Sequence, residues 1–216
     1  MKVLILVAAF TLVSIASASR VKPVQLELYY ESLCPGCRYM ITKTLNKTYS
    51  ELSSILDITF VPYGNARELK YPNGTKHIVC QHGPEECVGN KVENCALHYI
   101  RDEKAKVNFI TCLENKRPNV DGKLCAKLLG MESVWPKIDA CTKSKLGDSL
   151  VRKAQQKTES LRPQHTHTPW VVINGHHNLA QDLCNAAQLK TIVCNLYKGK
   201  KPKACIKSDF GISYKH

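Results

Sequence analysis

Two cysteines separated by two residues, Cys34-Pro35-Gly36-Cys37, carry the most specific chemistry in this chain. Thiol–disulfide exchange needs one thiolate to attack a sulfur and a second thiol to release the mixed disulfide that forms. On the first turn of a helix both sulfurs of such a pair can meet. The unsatisfied N–H groups there, with their partial positive charge, stabilise a thiolate on the outer cysteine. Pro35 suits a first-turn position, because the donor it lacks would go unused. These residue types assign Cys34 as nucleophile and Cys37 as resolving thiol. Two other uses of the pair stay open: half of a zinc site, for which His82 or His98 would have to supply further ligands, and an inert structural disulfide. Arg38 and Lys43, nearby in sequence, read as helix-surface charge.

The flanking pattern says which elements hold the pair. Val24, Leu26, Leu28 and Tyr30 alternate with Gln25, Glu27 and Tyr29, the period of a strand. After the cysteines, Ile41, Leu45, Tyr49, Leu52 and Leu56 recur at the spacing of one helix face. Asp57 to Tyr63 reads as a second strand stopped by Gly64. Strand, CxxC, helix, strand is the thioredoxin-like redox arrangement. Far downstream, Thr168-Pro169 precedes the run Trp170-Val171-Val172-Ile173. In thioredoxin-like proteins a cis proline before that strand faces the CxxC, and Pro169 fits the role by position.

Residues 66–163 differ in character. They hold Cys80, Cys87, Cys95, Cys112, Cys125 and Cys141, and the apolar positions of 96–113, 124–131 and 135–150 have rough helical spacing. The expected architecture is an α/β thioredoxin-like domain built from 19–65 and 164–197. A mostly helical, disulfide-stitched insertion at 66–163 interrupts it, and a basic tail follows at 198–216. A last helix is expected over about 179–197, carrying Cys184 and Cys194.

Lys2, the apolar run from Val3 to Val13 and Ala16-Ser17-Ala18 read as a cleaved signal peptide over 1–18. That route leads to an oxidising compartment, where most of the 11 cysteines should pair. Asn46-Lys47-Thr48 and Asn73-Gly74-Thr75 are glycosylation sequons consistent with it. No later run is long enough to span a membrane. The formal charge is +13, but the lysines are dispersed and no arginine-rich or aromatic–basic module appears. The composition therefore argues against nucleic acid and for a solvated cationic surface.

The stretch Cys80-Gln81-His82-Gly83-Pro84-Glu85-Glu86-Cys87-Val88-Gly89-Asn90-Lys91-Val92-Glu93-Asn94-Cys95 fits the pattern CQHGxxECxxNxxxxC at every fixed position. With Val61-Pro62-Tyr63-Gly64-Asn65-Ala66 and Pro169 to Gly175, it resembles the gamma-interferon-inducible lysosomal thiol reductases (GILT) over residues 24–197. The resemblance implies a thioredoxin-like fold with a helical insertion. It also implies a soluble reductase of protein disulfides, acting at acidic pH in lysosomes or after secretion. Disulfide-bonded proteins would be its substrates and a small thiol its reductant, with no cofactor. A secretory-pathway oxidase or isomerase, and a non-catalytic binding protein on the same scaffold, are the competing readings.

Setting the redox pair aside leaves nine cysteines, which cannot all pair. Four structural disulfides are expected among Cys80, Cys87, Cys95, Cys112, Cys125, Cys141, Cys184 and Cys194. Cys205, in the lysine-rich tail, is expected to be left over. His82 reads as a loop-fixing residue and Glu86 as a surface or capping carboxylate, with a proton-donor role for His82 as the alternative. His165, His167, His176 and His177 flank Pro169 and read first as solvated histidines. A metal site and an imidazolium that favours the Cys34 thiolate in acid are the sharper alternatives.

Overall fold

The computed structural model describes residues 21–116 and 121–206. The expected signal peptide and the last ten residues of the basic tail lie outside the described residues.

The alternation in the first strand produces β1 (Val24–Tyr30), whose apolar residues are buried. β1 pairs in parallel with β2 (Leu56–Pro62), Val24 opposite Leu56 and Tyr30 opposite Pro62. On its other edge β1 runs antiparallel to β5 (Trp170–Ile173), with Leu26 opposite Ile173. The two-residue β6 (His176–His177) closes the order β2-β1-β5-β6. A parallel pair needs a crossover. Here it is a continuous helical run: α1 (Pro35–Tyr39), a π-helical stretch (Met40–Leu45) and α2 (Asn46–Leu52).

The period of two sorts the strands onto two cores. Leu26, Leu28, Tyr30, Phe60, Val171 and Ile173 face the crossover helix and pack with Ile41, Leu45 and Leu52. Tyr29, Val61, Trp170 and Val172 face the other way, onto Val151 and Ala154. Leu28 is fully buried; truncating such a side chain costs about 2–5 kcal/mol.

The stretch expected to be mostly helical opens with a hairpin, β3 (Arg67–Lys70) and β4 (Lys76–Val79), where no strand was expected. Tyr71-Pro72-Asn73-Gly74-Thr75 turns it, with Tyr71 N–H donating to Thr75 O at 2.8 Å. The hairpin strands are short and largely exposed, so they carry no apolar alternation to read. Five helices follow: α3 (Pro84–Tyr99), α4 (Glu103–Asn115), α5 (Gly122–Leu128), α6 (Trp135–Thr142) and α7 (Lys145–Glu159). Two apolar stretches read as single helices are split by caps. The Asp102 side chain accepts from Ala105 N–H, and Ser144 Oγ accepts from Leu146 N–H. Likewise the expected final helix is broken into α8 (Leu179–Asp182) and α9 (Ala186–Leu196), where Asn185 and Gln188 form a capping box.

Disulfides join Cys80–Cys87, Cys95–Cys141, Cys112–Cys125 and Cys194–Cys205. This corrects two expectations. Cys205 is not the odd cysteine: the tail folds back through α10 (Lys203–Ile206) and brings its Cα to 5.5 Å from that of Cys194. Cys184 is not in a disulfide: it sits buried between α8 and α9, and its thiol donates to Gln181 O at 3.1 Å. Among the described residues, no helix is long and apolar enough to cross a membrane.

Candidate active site

Cys34 caps the crossover helix. Its backbone is extended (φ −67°, ψ 122°), Pro35 begins the first turn, and Cys34 Sγ accepts from Cys37 N–H at 3.4 Å. Cys37 is fully buried behind it, while Pro35 and Gly36 are exposed. The face open to a partner therefore leads to Cys34 first. Both thiols are free.

The Thr168–Pro169 peptide is cis, as expected for Pro169. Gly36 is where this loop comes closest: a Cβ added there would lie 3.3 Å from Pro169 Cδ and 3.9 Å from Thr168 O. Thr168 Oγ1 donates to Cys34 Sγ at 3.6 Å, and the Cys34 thiol faces Thr168 O at 3.8 Å. The hydrogen bond with the Cys37 thiol is the main force lowering the Cys34 pKa to about 5. Burial opposes it, and the Cys37 N–H, Thr168 hydroxyl and Gly36 N–H assist. Burial pushes Cys37 well above the ordinary thiol value, and its contacts with Cys34 add to this. One thiol is poised to ionise and its neighbour to keep its proton.

The family model described as gamma interferon inducible lysosomal thiol reductase matches residues 25–129. A protein of Carassius auratus named gamma-interferon-inducible lysosomal thiol reductase is 39% identical over 186 residues, 85% of this chain and 72% of that one. Its Mus musculus namesake is 38% identical over 186 residues, with the same coverage. The chain belongs to the GILT family. Among solved structures, the DsbA of Chlamydia trachomatis superposes with a TM-score of 0.57 at 13% identity, covering 82% of this chain and 88% of that one. That likeness places the fold in the thioredoxin-like class. The paired thiols and the named thiol reductases among its relatives make this GILT-family chain a thiol–disulfide oxidoreductase.

The GILT signature begins beside the site. Gly83 precedes Pro84, the first residue of α3, and Glu85 and Glu86 occupy the first turn, where negative charge is favoured. Glu86 is fully buried, not at the surface: it accepts from His82 N–H at 3.2 Å and lies 2.5 Å from His82 Nδ1. Glu31, which the sequence pattern did not single out, joins them, its Oε2 3.2 Å from His82 Nδ1. The imidazole nitrogen lies between the two carboxyl groups and hydrogen-bonds Glu86, which leaves the buried Glu31 Oε2 beside it with no hydrogen bond of its own among the described residues.

The downstream histidines do something else. Asp182 Oδ2 lies 3.0 Å from His167 Nε2 and 2.7 Å from His177 Nε2, and Oδ1 accepts from Val171 N–H at 2.6 Å. His177 also stacks on Trp170 at 3.4 Å between ring centroids. Asp182 thus ties the residue before Thr168, the start of β5 and β6 into one knot. His165 meets the Gly64 backbone, and burial holds it below its ordinary value. Arg38 is not a free surface charge: it faces the buried Glu114 at 4.0 Å and donates to Lys116 O at 3.5 Å. Lys43 is exposed, as expected. Asn73 sits on the exposed hairpin turn. Asn46 is half-buried at the start of α2, and its partner Thr48 is buried and donates to Ala186 O at 3.3 Å.

Proposed function

We propose that the chain is a reductase of protein disulfides, with Cys34 as nucleophile, Cys37 as resolving thiol and Pro169 on the loop against which substrate lies. The observation that carries this is the capped pair itself: Cys34 Sγ held at the helix start with Cys37 buried behind it. The Cys34 thiolate attacks one sulfur of a substrate disulfide; the S–S bond breaks, a Cys34–substrate disulfide forms, and the other sulfur leaves as a thiolate and takes a proton. Cys37 then loses its proton and attacks Cys34 Sγ. The substrate's second thiol is released, and a small-thiol reductant restores the pair.

The electrostatics support an acidic setting. A stabilised thiolate stabilises the reduced form, which makes such a pair oxidising at neutral pH. That favours the oxidase reading there. For a thiol with a pKa of about 5, the stabilisation against an ordinary thiol is about a hundredfold at pH 7 and about twofold at pH 5. Acid therefore makes the pair about 50-fold more reducing toward its substrates, which supports action in lysosomes or an acidic secreted setting, with the signal peptide at 1–18 and glycans at Asn46 and Asn73. The relatives named lysosomal point the same way. Reduction of insulin disulfides at about pH 5 and at pH 7, with Cys34→Ser as the inactive control, tests the reading. Faster net oxidation than reduction at pH 5 would overturn it.

A further inference from the structure

Glu31 lies three residues before Cys34, and its carbonyl accepts from Cys34 N–H at 3.3 Å. Its carboxyl is fully buried, and Oε1 accepts from Asn65 N–H. Gly64, at φ +57°, leaves it room: a Cβ there would come within 2.2 Å of Glu31 Cγ. From the other side, His82 Nδ1 stands 3.2 Å from Glu31 Oε2 and 2.5 Å from Glu86 Oε2. His82 is about one-third exposed, whereas both carboxyl groups are closed off from water. If every acid ionised, this corner would hold two carboxylates and the Cys34 thiolate against one imidazolium. Burying that much unbalanced charge is costly.

We propose that Glu31, His82 and Glu86 are positioning residues for the exchange reaction: Glu31 keeps a proton and His82 carries a charge paired with Glu86, so that Cys34 can ionise in acid beside a neutral carboxyl. The inference rests on the reading of Cys34 as the nucleophile. It gives the signature residues His82 and Glu86 a task.

The energetics agree with the geometry. Burial raises Glu31 to about 7; the Asn65 N–H opposes this, the Glu86 and Cys34 charges reinforce it, and the His82 charge opposes it. Burial works against a charged His82, but the Glu86 hydrogen bond, with the Glu86, Glu31 and Cys34 charges, outweighs it and raises its pKa. Cys34, at about 5, therefore ionises before Glu31 does. A carboxyl of ordinary pKa would already be charged at that point and would oppose the thiolate. The other groups around this corner are accounted for. Cys37 and Thr168 both contact Cys34 Sγ. His165 meets Gly64 from the loop before Pro169. Arg38 is directed at Glu114.

The test is the rate at which iodoacetamide labels Cys34 in the reduced, full-length protein between about pH 4 and 9, with the labelled residue located by mass spectrometry. The unmodified protein should show a midpoint near 5 and a second inflection near 7. His82→Asn keeps a donor where Nδ1 stood and removes the charge. It should move the midpoint up by about one unit and slow labelling at pH 5 about fivefold. Glu31→Gln should shrink the inflection near 7 to the step His82 makes on losing its charge, and Glu31→Gln with His82→Asn should show one midpoint only. The proposal is overturned if folded His82→Asn gives the unmodified profile, or if Glu31→Gln leaves the upper inflection unchanged; should His82→Asn not fold, Glu31→Gln decides alone. The labelling profile needs no substrate. Expected profiles without insulin reduction would sink the reductase reading alone, and insulin reduction with unchanged variant profiles would sink this proposal alone.

Discussion

Thr168 Oγ1 reaches Cys34 Sγ at 3.6 Å across 134 positions of sequence. The hydroxyl can donate to a thiolate as well as to a thiol, so the contact strengthens as Cys34 ionises. Thr168→Val removes the donor with little change of shape. The Cys34 pKa should rise by about one unit, read as a shift in the pH dependence of its alkylation.

Exchange should divide cleanly between the two thiols. Cys34→Ser should abolish insulin reduction, because no other free thiol among the described residues caps a helix. Cys37→Ser should instead accumulate a mixed disulfide on Cys34, visible as an adduct on a non-reducing gel.

A third expectation concerns acid. The folded-state pKa of Cys34 is depressed, so the thiolate's contribution to the stability of the dithiol form is full above the ordinary thiol pKa. It is lost as pH falls through about 5. Equilibration with glutathione, whose thiol stays protonated at both values, should shift toward oxidised enzyme by about 50-fold between pH 7 and pH 5. An unchanged equilibrium constant would contradict the low Cys34 pKa.

The structural disulfides should differ in weight. Cys95–Cys141 closes 46 residues and Cys80–Cys87 only seven. Removing the first by double Ser substitution should cost about 4 kcal/mol and the second about 2.5 kcal/mol, measured by denaturant unfolding. Peptide mapping under non-reducing conditions should find Cys194 bonded to Cys205 and Cys184 alkylated only after denaturation.

Asp182→Ala should loosen the loop that presents Thr168 and Pro169. It leaves Val171 N–H, His167 and His177 without their shared acceptor. Loss of such a buried charged acceptor costs about 3 kcal/mol. kcat/KM should fall while the Cys37→Ser background still forms its adduct slowly, a split that separates loop placement from thiol chemistry.

What could be read beforehand was local. The alternation of Val24 to Tyr30, the spacing of Cys34 and Cys37 and the proline before a β-branched run each sit within about ten residues, and each became the element expected. The contacts that complete the site join distant segments: Glu31 with His82, Thr168 with Cys34, Asp182 with His167. A carboxyl at the end of a strand carries no local sign that another segment will bury it. The pairing of Cys205 with Cys194 was missed for the same reason. The lysine-rich stretch read as a tail beyond the last helix, whereas Pro202 and the short α10 turn it back. Helix breaks at Asp102 and Ser144 were legible as caps, but the apolar spacing on either side masked them.

The sheet order has a consequence for synthesis. β1 sits at the centre, yet its partner β5 is made last of the three main strands, more than 130 residues after Cys34. At about 5–20 residues per second, a ribosome needs on the order of ten seconds to cover that distance. Cys34 and Cys37 are the first two cysteines of the chain to emerge. For that interval they precede the loop that later covers them, while the six cysteines of three structural disulfides, Cys80 to Cys141, emerge one after another. The nascent chain therefore exposes its most reactive thiol during the very period in which these six cysteines must find their partners, so wrong pairings with Cys34 are the hazard this topology builds in.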